Sequence, residues 1–267
     1  MENIRQRYRY SFILLSQLIK TDFRLRYQGS VLGYMWSLLR PLLLFLILYT
    51  VFDRFLKFGA EIEHFAVYLL LGIVLWNYFT EVTSGSITSI FSRGDLIRKI
   101  NFPKYVIVLS GCIAAFINLL LNFIVVGVFM IVSGVELRLE ALLIIPLIIE
   151  LTALAVAFAF FLSAAFIRFR DISYIWEVLM QAAFYATPIL YPLTLIPEKA
   201  QKLLLLNPVA QIIQDSRHAL VTPDSITLRQ VYDTDIILLV PISMVAVVSV
   251  ISILYFKKRS KYFAEEV

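Results

Sequence analysis

Residues 27–52 read YQGSVLGYMWSLLRPLLLFLILYTVF, a polar and aromatic prefix that passes without a break into an apolar run able to enter a bilayer. The chain before this stretch reads as surface, and the chain beyond it is mostly membrane. Gly29 and Gly33 permit a bend or a close backbone approach at the junction. Tyr34 and Trp36 then fall at the level of the lipid headgroups.

The whole chain agrees with that reading. Hydrophobic residues make up 60% of the 267 and charged residues 16%, with a mean hydropathy of +0.84. A soluble domain is nearer about half apolar and about a quarter charged, so this is an integral membrane protein built from helices. The net charge of +5 comes from basic residues at the ends of apolar runs, as the positive-inside bias places them. No nucleic-acid partner is therefore expected. One cysteine, Cys112, excludes an intrachain disulfide and a Cys-rich metal site.

Six candidate spans lie at about 34–55, 66–83, 105–133, 141–167, 173–192 and 236–256, each near the roughly 20 residues that a hydrocarbon core needs. With both termini inside, the inner segments hold 17 of the 24 Lys and Arg residues. That asymmetry fits an even number of spans. The expected organisation is a cytoplasmic N-terminal segment over 1–33, one six-span domain over 34–256 and a cytoplasmic tail over 257–267. Phe12, Leu15, Ile19 and Phe23 recur at helical spacing with Lys20, Arg24 and Arg26 off the stripe, which predicts an amphipathic helix in the cytoplasmic interface.

Two loops draw attention. Between spans two and three, SGSITSIFSRGDLIRKINFPK alternates apolar positions with Arg93, Asp95, Arg98 and Lys99, predicting a short amphipathic helix. Such a helix either rests on headgroups or inserts into a groove on a soluble partner. Between 188 and 235, prolines at 188, 192, 197 and 208 interrupt apolar segments too short to cross. They predict re-entrant helices on the outer side, serving as a gate or as a plain cap.

Catalytic signals are sparse. No G-x-x-x-x-G-K-[ST] sequence occurs, so the chain has no P-loop to cradle ATP. His64 and His218 stand far apart with no metal-ligand spacing around them. Asp233-Thr234-Asp235 resembles the D-x-D grip of some glycosyltransferases, but on this topology it lies outside, away from nucleotide sugars, and Asp residues just before a span are commonly solvated polar flanks. Tyr34, Trp36, Tyr78, Trp176, Tyr185 and Tyr191 lie at span ends or within spans, where Trp and Tyr ordinarily anchor at the interface. An aromatic-lined conduit for a sugar polymer is the other reading, since pyranose C–H faces slide on aromatic rings.

A family resemblance rests on Tyr27, Gly29, Ser30, Leu32, Gly33, Tyr34, Trp36 and Pro41, a Y-x-G-S-x-L-G-Y-x-W…P pattern. Gly72, Trp76, Leu96, Ile97, Lys99, Phe102, Pro103, the FRDI at 169–172, the TPILY at 187–191, Asn207, Pro208 and Arg217 extend it. Together these resemble the transmembrane subunit of type-2 ABC exporters for lipid-linked polysaccharides such as O-antigen, capsule and teichoic acid. Phe158, Phe160 and Phe161 stand where related chains often carry small residues.

The resemblance implies a homodimer in the bacterial cytoplasmic membrane, with ATP and Mg bound by a separate ATP-binding cassette subunit and no cofactor on this chain. It implies that Asp95, Leu96, Arg98, Lys99, Arg170 and Asp171 meet that ATPase. It also implies that Arg24, Arg26, Tyr27, Gly29 and Gly33 form the substrate entry, with the six aromatics above along the path and membrane lipids around. A transporter or channel working without ATP is the alternative, although residues 34–133 and 141–256 show no internal repeat. A membrane glycosyltransferase using Asp233 and Asp235 is a further one.

Overall fold

A computed structural model describes residues 12–22, 29–57, 62–100 and 102–266, and among these every regular element is helical. The helices are α1 (12–22), α2 (Trp36–Tyr49), α3 (Phe65–Ile87), α4 (Gly94–Lys99), α5 (Tyr105–Val132) and α6 (Ile144–Arg168). They continue with α7 (Ile172–Ala186), α8 (Glu198–Leu205), α9 (Pro208–Leu220), α10 (Leu228–Tyr232), α11 (Leu239–Arg259) and α12 (Phe263–Glu266). A π-helical segment, Thr50–Phe55, prolongs α2.

Five helices are long and apolar enough to cross a membrane: Gly33–Phe55, Phe65–Ile87, Tyr105–Val132, Leu139–Arg168 and Asp235–Arg259. They coincide within a few residues with five of the six expected spans. The expected span at 173–192 is instead α7, whose 15 residues reach only about 22 Å at 1.5 Å per residue. Pro188 is the cause, because the residue before a proline is driven out of the helical region, and Thr187 is extended at φ −83°, ψ 138°.

The bundle is organised around α3. Of its most apolar window 78% is buried, against 11% for the first span. An all-round apolar surface such as Val67, Leu69, Leu71, Ile73 and Leu75 can be covered only from several sides, and α2, α5, α6, α7 and α9 all pack on it. The second shell is α11, laid along α6. Three of the four α6 phenylalanines find aromatic partners on α11 or on α3 and α7. Phe158 lies against Phe79 and Trp176, Phe160 edge-on to Phe256, and Phe161 against Tyr255.

Asn207 and Pro208 start α9 by local chemistry. The Asn207 side chain accepts from the Val209 amide at 3.0 Å, and proline occupies the first helical position, where its missing N–H costs nothing. Eleven of the 13 residues of α9 are buried. That burial in protein is the condition under which a short non-spanning helix is tolerated at membrane depth.

Candidate functional site

A platform forms at one end of the bundle from four segments distant in sequence. In α4 Ile97 is buried and Leu96 half-buried, while Asp95, Arg98 and Lys99 are exposed; the helix is therefore amphipathic, with a charged outer face. Just before it, the Arg170 guanidinium lies 3.8 Å over the Phe91 ring and 5.1 Å from that of Phe166. The tight turn between α6 and α7, where Asp171 is exposed, is thereby brought against the α3–α4 loop.

From the other side α12 packs on α4 and α6, with Phe263 fully buried edge-on to Phe256. Arg93 joins α1 to this platform. It pairs with Asp22 and donates to the Ser110 hydroxyl at 3.3 Å, and Ser110 in turn donates to Asp22 at 3.1 Å. Lys104 sits 5.0 Å over the Phe102 ring, and desolvation lowers its pKa below the ordinary lysine value.

In α1 part of the expected stripe packs against the bundle and part faces outward. Leu18 is buried and Leu14 and Leu15 are partly so, whereas Phe12 is 73% exposed.

At the expected entry, Arg24, Arg26 and Tyr27 lie outside the described residues. Gly29 and Gly33 adopt φ +79° and +49°, a left-handed backbone that glycine enters without a Cβ penalty. The Ser30 hydroxyl accepts from the Gly33 amide at 3.2 Å and closes the turn into α2.

Beyond the turn, a cavity of about 520 Å³ opens between α2, α3 and α5. Tyr34 donates to Asn118 Oδ1 at 3.2 Å, and Asn118 Nδ2 donates to Glu81 Oε1 at 2.8 Å. Pro41 has no N–H to offer the Ser37 carbonyl four residues back. Asn122 Nδ2 approaches that carbonyl at 3.4 Å while donating to the Asn118 carbonyl at 2.8 Å.

The six aromatics expected along a path occupy different places. Trp36 is 44% exposed at the mouth of this cavity, and Tyr185 is 63% exposed on α7. Tyr191 donates to the Tyr185 and Ala186 carbonyls at 3.0 and 3.3 Å, capping α7. Tyr78 is buried and donates to Thr152 of α6 at 3.0 Å. Trp176 is also buried, with its indole N–H donating to Thr83 at 3.2 Å, and it lines a separate apolar cavity of about 540 Å³ with Trp76, Phe158 and Met180. In this chain Tyr78 and Trp176 thus act as interhelix ties.

Arg217 is the residue whose role sequence reasoning missed. Fully buried in α9, it donates to the carbonyls of Tyr68 (3.0 Å), Pro188 (2.6 Å) and Ile189 (2.7 Å) and to Gln214 Oε1 (2.8 Å). Its guanidinium stacks 3.6 Å over the Tyr68 ring. No carboxylate is among these partners, so backbone dipoles carry the compensation. Gly72 makes the space, since a Cβ there would stand 2.5 Å from Arg217 Nη2. The signal available in sequence was an Arg among the polar residues Gln211, Gln214, Asp215 and His218 in the segment that Asn207 and Pro208 begin.

The D-x-D residues lie at the exposed end of α10. Asp233 ends α10 at φ +51°, and Asp235 pairs with Arg229 at 2.5 Å. Among the described residues, no group of three or more His, Cys, Asp or Glu side chains is placed to hold a metal ion.

Comparison with known proteins adds a family and relatives. The profile described as ABC-2 type transporter matches residues 13–221. The chain is 33% identical over 208 residues to the O-antigen export system permease protein RfbA of Klebsiella pneumoniae, covering 76% of this chain and 78% of the relative. It is 30% identical over 216 residues to the protein of the same name from Myxococcus xanthus, covering 79% and 80%. The polysialic acid transport protein KpsM of Escherichia coli is 22% identical over 214 residues, covering 78% and 81%.

Proposed function

This chain belongs to the ABC-2 type transporter family, and from that premise we propose that it is the membrane-spanning subunit of an exporter that moves a polysaccharide across the bacterial cytoplasmic membrane. The cargo is a lipid-linked glycan of the O-antigen, capsule or teichoic acid type. Two copies of the chain form the transmembrane unit, with both termini cytoplasmic. ATP and Mg bind a separate cassette subunit, since the chain carries no P-loop sequence.

The observation that carries this reading is the platform. Asp95, Arg98 and Lys99 project from a helix whose other face is held by the bundle, and the Arg170 turn is locked beside it on Phe91. A rigidly backed, charged amphipathic helix suits insertion into a groove on a soluble partner, and it transmits displacement because its underside cannot yield independently.

The homodimer draws support from the exposed apolar faces of α2 and α7, which include Leu46, Ile47, Ile175 and Val178. We assign α7, together with the 187–191 segment and α9, to the remaining crossing, fifth in chain order, of a six-span topology. Trp36, Tyr34, Tyr185 and Tyr191 remain as the aromatic surface of the path, and Gly29 and Gly33 as the entry turn.

Co-purification with the candidate ATPase, followed by an ATP hydrolysis assay with and without the lipid-linked glycan, tests the reading. A stable complex whose hydrolysis rises with the glycan is the expected result. Transport in vesicles lacking any ATPase points instead to an ATP-independent carrier.

A further inference from the structure

The cavity between α2, α3 and α5 has a composition that neither membrane anchoring nor coupling requires. At about 520 Å³ it falls within the roughly 300–1,000 Å³ range of small-ligand sites. Its wall presents Trp36, Arg40, Asn77, Glu81, Ser84 and Asn118. Polar and charged side chains on spanning helices are costly, and they mark ligand pathways where they face a cavity.

These groups are also held in place. Asn118 has its amide oriented from both sides, its oxygen accepting from Tyr34 and its nitrogen donating to Glu81. Asn122, bonded to the Asn118 carbonyl, braces the same turn of α5. The mouth is open: Trp36, Arg40, Ser84 and Gly85 are exposed, and a Cβ at Gly85 would meet no atom within 4 Å.

The functional groups select a ligand class. A guanidinium, a carboxylate and two primary amides are planar and bidentate, matching pairs of vicinal hydroxyls as donors and acceptors. The indole of Trp36 offers a face to sugar C–H groups. Among the described residues of the wall one cation, Arg40, stands against one anion, Glu81. A diphosphate needs an excess of cations, and the Glu81 carboxylate opposes it; a neutral pyranose suits the donors and acceptors of Arg40, Asn77 and Ser84 on the wall.

We propose that this cavity is a saccharide-binding site, taking one or a few sugar units of the exported chain next to its lipid carrier. The assignment rests on the polysaccharide-export reading above. It places first recognition of the glycan between α2, α3 and α5 of one subunit.

The test uses the full chain with its ATPase in cells making their own glycan. A photo-crosslinking amino acid replaces Ser84 at the mouth, or Leu46 on the exposed face of α2, or Tyr185 on α7. A glycan-bearing adduct at 84 and none at 46 is the expected result. Asn77→Leu should remove that adduct and lower export roughly tenfold, the equivalent of about 1.4 kcal/mol of lost binding. The amount of chain in the membrane and the co-purifying ATPase should stay unchanged. Arg40→Gln, on an exposed side chain, repeats the measurement should Asn77→Leu lower the amount of protein.

Glycan adducts at 185 with none at 84 overturn the cavity assignment and leave the exporter reading standing. An adduct at 84 carrying lipid phosphate without sugar likewise overturns it. Absence of glycan adducts at every position, together with normal surface glycan when the chain is deleted, removes the exporter reading itself.

Discussion

Arg217 and Arg40 sit toward opposite ends of α3 and show two ways of keeping a guanidinium in an apolar bundle. Arg217 is fully buried and directs its donors to three backbone carbonyls and Gln214. Arg40 is exposed on the wall of an open polar cavity. The first is consumed by structure: it fastens α9 and the Pro188–Ile189 turn to α3, and nothing of it faces a ligand. The second keeps its donors available. A charge in a membrane protein is thus informative through its partners, and a fully satisfied one argues for architecture.

The strongest way to break this contrast is Arg217→Met. It leaves the carbonyls of Tyr68, Pro188 and Ile189 buried without donors, at about 1–3 kcal/mol each, so we expect a loss of at least about 3 kcal/mol. The check is thermal melting of the detergent-purified protein. Arg217→Lys should recover little of it, because an ammonium cannot reproduce the planar fork. An unchanged melt in either variant refutes the structural assignment.

Gly72→Ala probes the same cradle from the opposite wall. The added Cβ, 2.5 Å from Arg217 Nη2, forces the guanidinium aside, and overpacking of this kind costs about 1–3 kcal/mol. Combining it with Arg217→Met should give less than the sum of the two losses, since both act on one contact.

At the α4 end of the bundle the Asp22 and Arg93 side chains are about one-fifth exposed. A double-mutant cycle with Asp22→Asn and Arg93→Gln should give a coupling of about 1 kcal/mol, the upper end for pairs that water still reaches. Stimulated ATPase activity should fall in either single variant as the link from α1 to the α3–α4 loop is lost. Arg40→Gln completes the series with the smallest effect on stability, within about 0.5 kcal/mol as for other exposed positions, accompanied by a clear loss of export. A melt as damaged as that of Arg217→Met would erase the distinction between the two arginines.

Much of the fold was legible in the sequence because a bilayer imposes a length and an apolar composition that a single stretch reveals by itself. Gly33–Phe55 and Tyr105–Val132 were foreseeable in this way, as was the amphipathic α4 with Asp95, Arg98 and Lys99 on its wet face. The stop of α7 at Ala186 was hidden because apolar residues continue through Ile189 and Leu190 while the backbone, turned by Pro188, does not. Tyr78 and Trp176 were equally opaque. A polar aromatic inside a span reads the same whether its hydroxyl or N–H points into a conduit or to Thr152 and Thr83 on a neighbouring helix.

By itself the sequence determined the helical membrane class, the positions of five spans, the absence of a P-loop and the charged loop over 84–104. Composition, hydropathy and motif spacing are local quantities, and those features depend on nothing else. Only the tertiary structure decided that α3 is the buried pillar and that Gly72 exists to admit Arg217. It alone gathered Trp36, Arg40, Glu81 and Asn118 around one cavity. Each of these depends on which faces of helices up to 149 residues apart in sequence meet, as Tyr68 and Arg217 do. That choice belongs to the packing of the bundle as a whole.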